Sequence, residues 1–182
     1  MDITELNNPF TKKNYNSSDG MMTSIWGPSM WLSLHIISFN YPIKPTKEQK
    51  DKYYNYIMSL KYILPCLHCR KNVVKNLKDI KFNKSSMKSR DTFSRAIYNL
   101  HESINKMLDK KSNLTYIQVR NIYEHFRSRC LIENPINNLS SKKEKGCIVP
   151  LYGKKTKCVL DIVPKNSKKK SLNISKKCKI EK

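Results

Sequence analysis

"LPCLHCRK", residues 64–71, sets two cysteines three positions apart directly after a proline, with a histidine between them and two cations behind. The host of this C-x-x-C decides the fold. A thioredoxin-like redox domain requires strands alternating with helices. A zinc module requires two further ligands in tetrahedral reach, and a pair of buried core cysteines requires neither. The periodicity on either side of the pair separates these hosts.

Immediately upstream, Tyr53, Ile57, Leu60 and Leu64 form one stripe at helical steps, so residues 47–64 read as a helix that Pro65 ends. Downstream, Val73, Leu77 and Ile80 continue the same period from the cysteine pair. Further out, "SIWGPSMWLSLHIISF" (24–39) shows Trp31, Leu34, His35 and Ser38 at helical spacing. Pro28 there is preorganised for a first helical turn, and the two prolines of "YPIKPT" (41–46) stop the helix. After the polar "NKSSMKS" (83–89), Phe93, Ile97, Leu100, Ile104 and Leu108 mark a fourth helix. Thr115 with Gln118 forms a capping box that opens a fifth, through Val119, Ile122, Tyr123 and Phe126. Strand signals are nearly absent before residue 147. The sequence thus predicts an all-α protein, a four-helix bundle with a short fifth helix, which is no thioredoxin fold.

The 182 residues carry 36 Lys+Arg against 14 Asp+Glu, a formal net charge of +22, and 38% of them are hydrophobic. Apolar residues concentrate between Trp26 and Leu131, giving a flexible arm over 1–23, a domain over 24–131 and a lysine-rich tail over 132–182. Residues 133–182 hold 14 Lys and 4 acids, hence +10 of the +22. Such a tail attracts nucleic acid or another polyanion, and a non-enzymatic basic helical module is the competing functional class. The same Lys, Asn and Ile usage is also what an AT-rich genome encodes. The N-terminus has no apolar core of signal-peptide type, and no run reaches the about 18 apolar residues of a membrane span. A cytoplasmic, reducing setting is the expectation, where a C-x-x-C is metal-binding or catalytic more often than a structural disulfide.

For the pair itself three readings stand. Zinc would take two ligands from Cys66 and Cys69, but Cys147 and Cys158 belong to no second C-x-x-C. Free core cysteines are common. A redox dithiol is favoured by Pro65, which starts a helix at the pair, because orphan N–H groups and the helix dipole stabilise a thiolate there. Arg70 and Lys71 add positive charge nearby.

Four segments occur in a telling order: "WGPSMWLSLH" (26–35), "LPCLHC" (64–69), "YNLHESINKML" (98–108) and "NIYEHF" (121–126). Over about residues 24–130 this resembles the Erv/ALR family of FAD-linked sulfhydryl oxidases, in particular the compact versions encoded by large cytoplasmic DNA viruses. The resemblance implies FAD held at one end of the bundle, against a Cys66–Cys69 disulfide. Cys69 would be the flavin-proximal sulfur and Cys66 the one that exchanges with incoming dithiols. Gly27, Trp31 and His35 of the first helix would contact the cofactor, with His101, Ile104, Asn105 and Lys106 of the fourth and Tyr123 of the fifth. No metal is implied. The activity would be disulfide formation in protein dithiols or a thioredoxin-like carrier, with dioxygen as acceptor and hydrogen peroxide as product. A homodimer in the host cytoplasm or virion completes the expectation.

The residues themselves support those roles. Trp31 and His35 share a helix face, as do His101 and Asn105, so two facing helices can clamp a flat ring system. Lys106 and Lys110 can neutralise a pyrophosphate. Two departures stand out: Glu102 follows His101 where the family usually has Asn, and no cysteine lies between Cys69 and Cys130 to make the second structural disulfide of cellular members. In the tail, Cys147, Cys158 and Cys178 are either incidental or include a shuttle pair. That pair, Cys147 and Cys158, would take a disulfide from Cys66 and pass it to a protein partner, and its spacing allows a disulfide between the two.

Overall fold

The computed structural model describes residues 11–131, 146–152, 157–159, 162–164 and 166–168. Residues 1–10 and most of the expected tail, Cys178 included, lie outside the described residues. A short α1 (Lys12–Tyr15) precedes the bundle helices α2 (Thr23–Phe39), α3 (Lys47–Ile63), α4 (Leu67–Asp79) and α5 (Arg90–Met107). Then come the short α6 (Tyr116–Glu124) and a strand pair, β1 (Ser128–Leu131) with β2 (Gly146–Pro150).

The helix ends follow local chemistry. Thr46, Ser89 and Thr115 each accept from the backbone N–H three residues on, and the residues at those positions reach back to complete capping boxes. The Thr115–Gln118 box is the one expected. Pro28 is not in the first turn as expected: α2 begins at Thr23, five residues earlier, and carries Pro28 inside it. The proline forgoes one backbone hydrogen bond there.

Leu34, Ile57, Leu60, Val73, Leu77, Phe93, Ile97 and Leu100 meet in one buried cluster contributed by all four long helices. Each apolar stripe alone would be an exposed face; packed together they remove one another from water. Tyr41, fully buried beside them, keeps its hydroxyl satisfied by donating to Met87 O at 2.9 Å. The same residue's carbonyl accepts from Arg90 Nε at 2.6 Å, which ties the turn after α2 to the start of α5. Between α4 and α5 the buried Asn76 accepts from Ser103 Oγ at 2.5 Å and donates to Asn72 O at 2.8 Å.

A second cluster, Phe39, Tyr116 and Val119 with Tyr98 and Tyr123 against it, docks α6 on α2 and α5. Strand β1 starts four residues after α6 and pairs antiparallel with β2, with Ser128 opposite Pro150 and Arg129 opposite Val149. Gly146–Pro150 was expected to belong to the tail. It is instead held to the segment that leaves α6, and Leu151 N donates to Arg127 O at 2.9 Å.

Candidate active site

The cysteine pair sits where the sequence places it. Cys66 is the N-cap of α4, with an extended backbone (φ −162°, ψ 122°), and its sulfur accepts from Cys69 N at 3.1 Å. The two sulfurs form a disulfide, which leaves neither as a metal ligand. Both residues are half-buried, whereas His68 between them is exposed. Arg70, expected to bias the thiolate, directs Nη1 to Leu64 O at 2.7 Å and so braces the turn that leads into the pair. Cys69 packs against the main core cluster, as do Trp31 and Ile104. Cys69, Trp31 of α2 and Ile104 of α5 thus pack against one core.

From Trp31 a stack of rings runs outward between the helices. Trp31 lies flat on His101, with centroids 3.9 Å apart and planes 7° apart. His35 Nε2 and His101 Nδ1 share a hydrogen bond at 3.0 Å. On the other side His35 stacks against Tyr123 at 5.0 Å and Phe39 at 6.1 Å. The order is thus Trp31, His101, His35, then Tyr123 and Phe39, drawn from α2, α5 and the last turn of α6.

Burial keeps these groups uncharged. Desolvation, with the neighbouring His101, pushes His35 down to about 3. Desolvation also lowers His101 to about 4, with Glu102 pulling upward and Lys110 downward. Desolvation raises Tyr123 to about 12. At neutral pH the cluster is neutral and polarisable, and its two histidines hydrogen-bond each other.

Beside it, Tyr98, Glu102, Lys106, Lys110, Lys111 and Asn113 line part of an open groove of about 430 Å³. Glu102, the departure noted in the sequence, accepts from Asn105 Nδ2 at 3.0 Å, so it orients a neighbour that was itself singled out. Gly27 has open space where a Cβ would stand. His35 Nδ1 is buried without a hydrogen-bond partner. Flat walls, an unpartnered ring nitrogen and a lysine-rimmed groove suit a planar ligand with an anionic tail.

Trp31, His35, His101 and Tyr123 therefore come together directly, Lys106 lines the adjacent groove, and Ile104 packs on the core behind it. Three contributors were missed. Phe39 could have been found, because it lies four residues after His35 and so extends the Trp31–His35 face. Arg127 bonds Glu124 and donates from Nη2 to Phe39 O at 3.0 Å, fixing the far end of the stack. Gly20 pairs with Cys66 across a β-bridge. Nothing in the local sequence announces either of the last two. One expectation fails: Cys158 is a free, exposed thiol while Cys147 is disulfide-bonded, so the two are not joined to each other. The strand pairing holds Cys147 beside β1, where its carbonyl accepts from Ser128 Oγ at 2.9 Å.

Comparison with known proteins finds one family and several relatives. The Erv1 / Alr family matches residues 28–127. A probable FAD-linked sulfhydryl oxidase, R368 of Acanthamoeba polyphaga mimivirus, is 34% identical over 91 residues, which are 50% of this chain and 63% of that protein. This chain thus spans less than two thirds of that relative's length. A putative FAD-linked sulfhydryl oxidase, 347L of Invertebrate iridescent virus 6, is 30% identical over 90 residues, covering 47% of this chain and 81% of the relative. The crystal structure of the FAD binding domain of Erv1 from Saccharomyces cerevisiae superposes with a TM-score of 0.51 at 26% identity, over 57% of this chain and 94% of that one. With the family match spanning more than half of its residues, and with a cysteine pair and ring stack set on the bundle as described, the chain belongs to the Erv1 / Alr family.

Proposed function

We propose that this chain is an FAD-linked sulfhydryl oxidase that makes disulfides in protein dithiols, with dioxygen as the final acceptor and hydrogen peroxide as the product. The observation that carries the reading is the Cys66–Cys69 disulfide at the N-terminus of α4, whose Cys69 packs against the same core cluster as Trp31. The fit supports FAD: Trp31, His35, His101 and Tyr123 would hold its rings, and Lys106 and Lys110 would meet its phosphates. When bound, FAD supplies the two-electron acceptor that returns electrons to dioxygen.

The chain's own residues do the sulfur chemistry. A substrate thiolate attacks Cys66 Sγ; a substrate–Cys66 disulfide forms, the Cys66–Cys69 bond breaks, and the electron pair leaves on Cys69 Sγ. The substrate's second thiolate attacks its own sulfur in that mixed disulfide and expels the Cys66 thiolate. Two substrate thiols have become one disulfide, and the C-x-x-C is reduced by two electrons. Both thiolates form at the N-terminus of α4, where the helix dipole favours negative charge and Cys69 N–H already donates to Cys66 Sγ. The neutral His35 and His101 bring no charge to the ring site.

The test is direct. Purified protein should be yellow and should consume oxygen with dithiothreitol. Cys66→Ser and Cys69→Ser should each keep the flavin and lose the oxygen consumption. Near-wild-type turnover in either variant, or a colourless protein that takes up no FAD, would remove the assignment.

A further inference from the structure

We propose that Gly20 is a positioning residue for Cys66: the strap Asp19–Met21 lies along the backbone of Pro65–Leu67 and sets the pose of the sulfur that substrate thiols attack. The functional meaning of that pose rests on the oxidase reading above; the contact itself does not.

The strap is a two-sided clamp. Met21 N donates to Pro65 O at 2.7 Å, and Leu67 N donates to Asp19 O at 3.1 Å. These bonds flank the Gly20–Cys66 bridge, leaving those two residues as the directly facing, non-hydrogen-bonded pair of an antiparallel ladder. In such pairs the Cα atoms approach to about 4.5 Å. A side chain has no room there. A Cβ on Gly20 would stand 2.5 Å from Pro65 O, 2.8 Å from Cys66 Cα and 2.9 Å from Pro65 C. All three are backbone atoms, so no side-chain rotation relieves the clash. Gly20 also has φ +116°, a conformation that favours glycine.

The clamp adds to a turn in which Cys66 N and Arg70 Nη1 both donate to Leu64 O, at 2.8 and 2.7 Å. Leu67 N–H is one of the first donors of α4 and has no partner within the helix; Asp19 O supplies one. Cys66 itself is the extended N-cap through which the chain turns from Pro65 into α4. Its backbone pose decides whether its sulfur and that of Cys69 are held together. At its own ends the strap is fixed by Trp26 Nε1 donating to Met21 O at 3.1 Å and by Ser17 Oγ donating to Asp19 Oδ2 at 2.7 Å. Trp26 stands on α2, the helix that also presents Trp31 and His35. The strap therefore couples the cofactor-bearing helix to the outer cysteine. Releasing it lowers the effective concentration of each thiol at the other, so the disulfide becomes easier to reduce.

Gly20→Ala in the full chain is the test, read by two measurements. Equilibration of Cys66–Cys69 with a glutathione redox buffer should show the disulfide less stable by roughly threefold to tenfold, tenfold being about 30 mV for a two-electron couple. With dithiothreitol, kcat/KM should change several-fold while the flavin content stays at the wild-type level. A chain lacking residues 1–20 should reproduce both effects; one lacking only residues 1–15, which keeps the strap, should reproduce neither. Wild-type glutathione equilibria in both Gly20→Ala and the longer truncation would overturn the proposal. So would a loss of flavin and helicity that runs in step with activity, since that marks a merely structural contact. The glutathione measurement needs no flavin, so a wild-type protein that binds no FAD would refute the oxidase reading and leave this inference to its own result.

Discussion

Acidifying the flavin-free protein from pH 7 to pH 5 should remove about 4 kcal/mol of stability, the share of two buried histidines taken at about 1.4 kcal/mol per pKa unit. His35 lies at about 3 and His101 at about 4 in the folded protein, against 6.5 for an ordinary histidine. At pH 5 both remain neutral in the native state, while the unfolded chain has taken up nearly two protons. The unfolded state binds more protons, so stability falls as pH falls. It is complete above 6.5 and declines until the folded histidines themselves titrate. Each histidine contributes about 2 kcal/mol between pH 7 and 5, and the local slope between pH 6 and 5 is about 2 kcal/mol per unit for the pair. Asp91 and Glu124, whose carboxyls are held below their ordinary values chiefly by hydrogen bonds from Arg95 and Arg127, lose their contribution only as pH falls further. Small domains are stable by about 5–15 kcal/mol, so the change is large enough to read. Urea unfolding followed by circular dichroism at pH 7, 6 and 5 supplies the free energies. His101→Gln should halve the slope. A flat profile, or an unchanged slope in both His101→Gln and His35→Gln, would show that these rings are hydrated or charged in the native state and would refute the reasoning.

Trp31→Ala and His101→Ala should each release FAD and lower Tm, because a ligand bound only by the native state stabilises it; added FAD should restore part of the loss, and a full flavin complement in both variants would mark the stack as ordinary core. Native-state alkylation followed by mass spectrometry should modify Cys158, which is free and exposed, and should reach Cys147 only after a reductant is added; labelling of Cys147 without reductant would place it outside a disulfide.

What the sequence by itself determined is local or periodic. The stripes ending at Leu64 and running through Phe93, Ile97 and Leu100 mark helices because an apolar face repeats every three to four residues whatever it later meets. Pro65 and Cys66 announce a helix start for the same reason: a cap depends on its next three residues. Trp31 with His35, and His101 with Asn105, are legible as shared faces of single helices. Only the tertiary structure decided how those faces meet. The Trp31–His101 stack, the His35–His101 hydrogen bond and the displaced titration of both rings arise from burial between α2, α5 and α6, and burial is a property of packing. The pairing of Gly146–Pro150 with Ser128–Leu131 was invisible in a lysine-rich context, because strand pairing joins segments far apart in the chain. Gly20 shows the limit most clearly. A glycine in a polar arm carries no local signal, and it acquires a role because Cys66, distant in sequence, lies too close for any side chain between them.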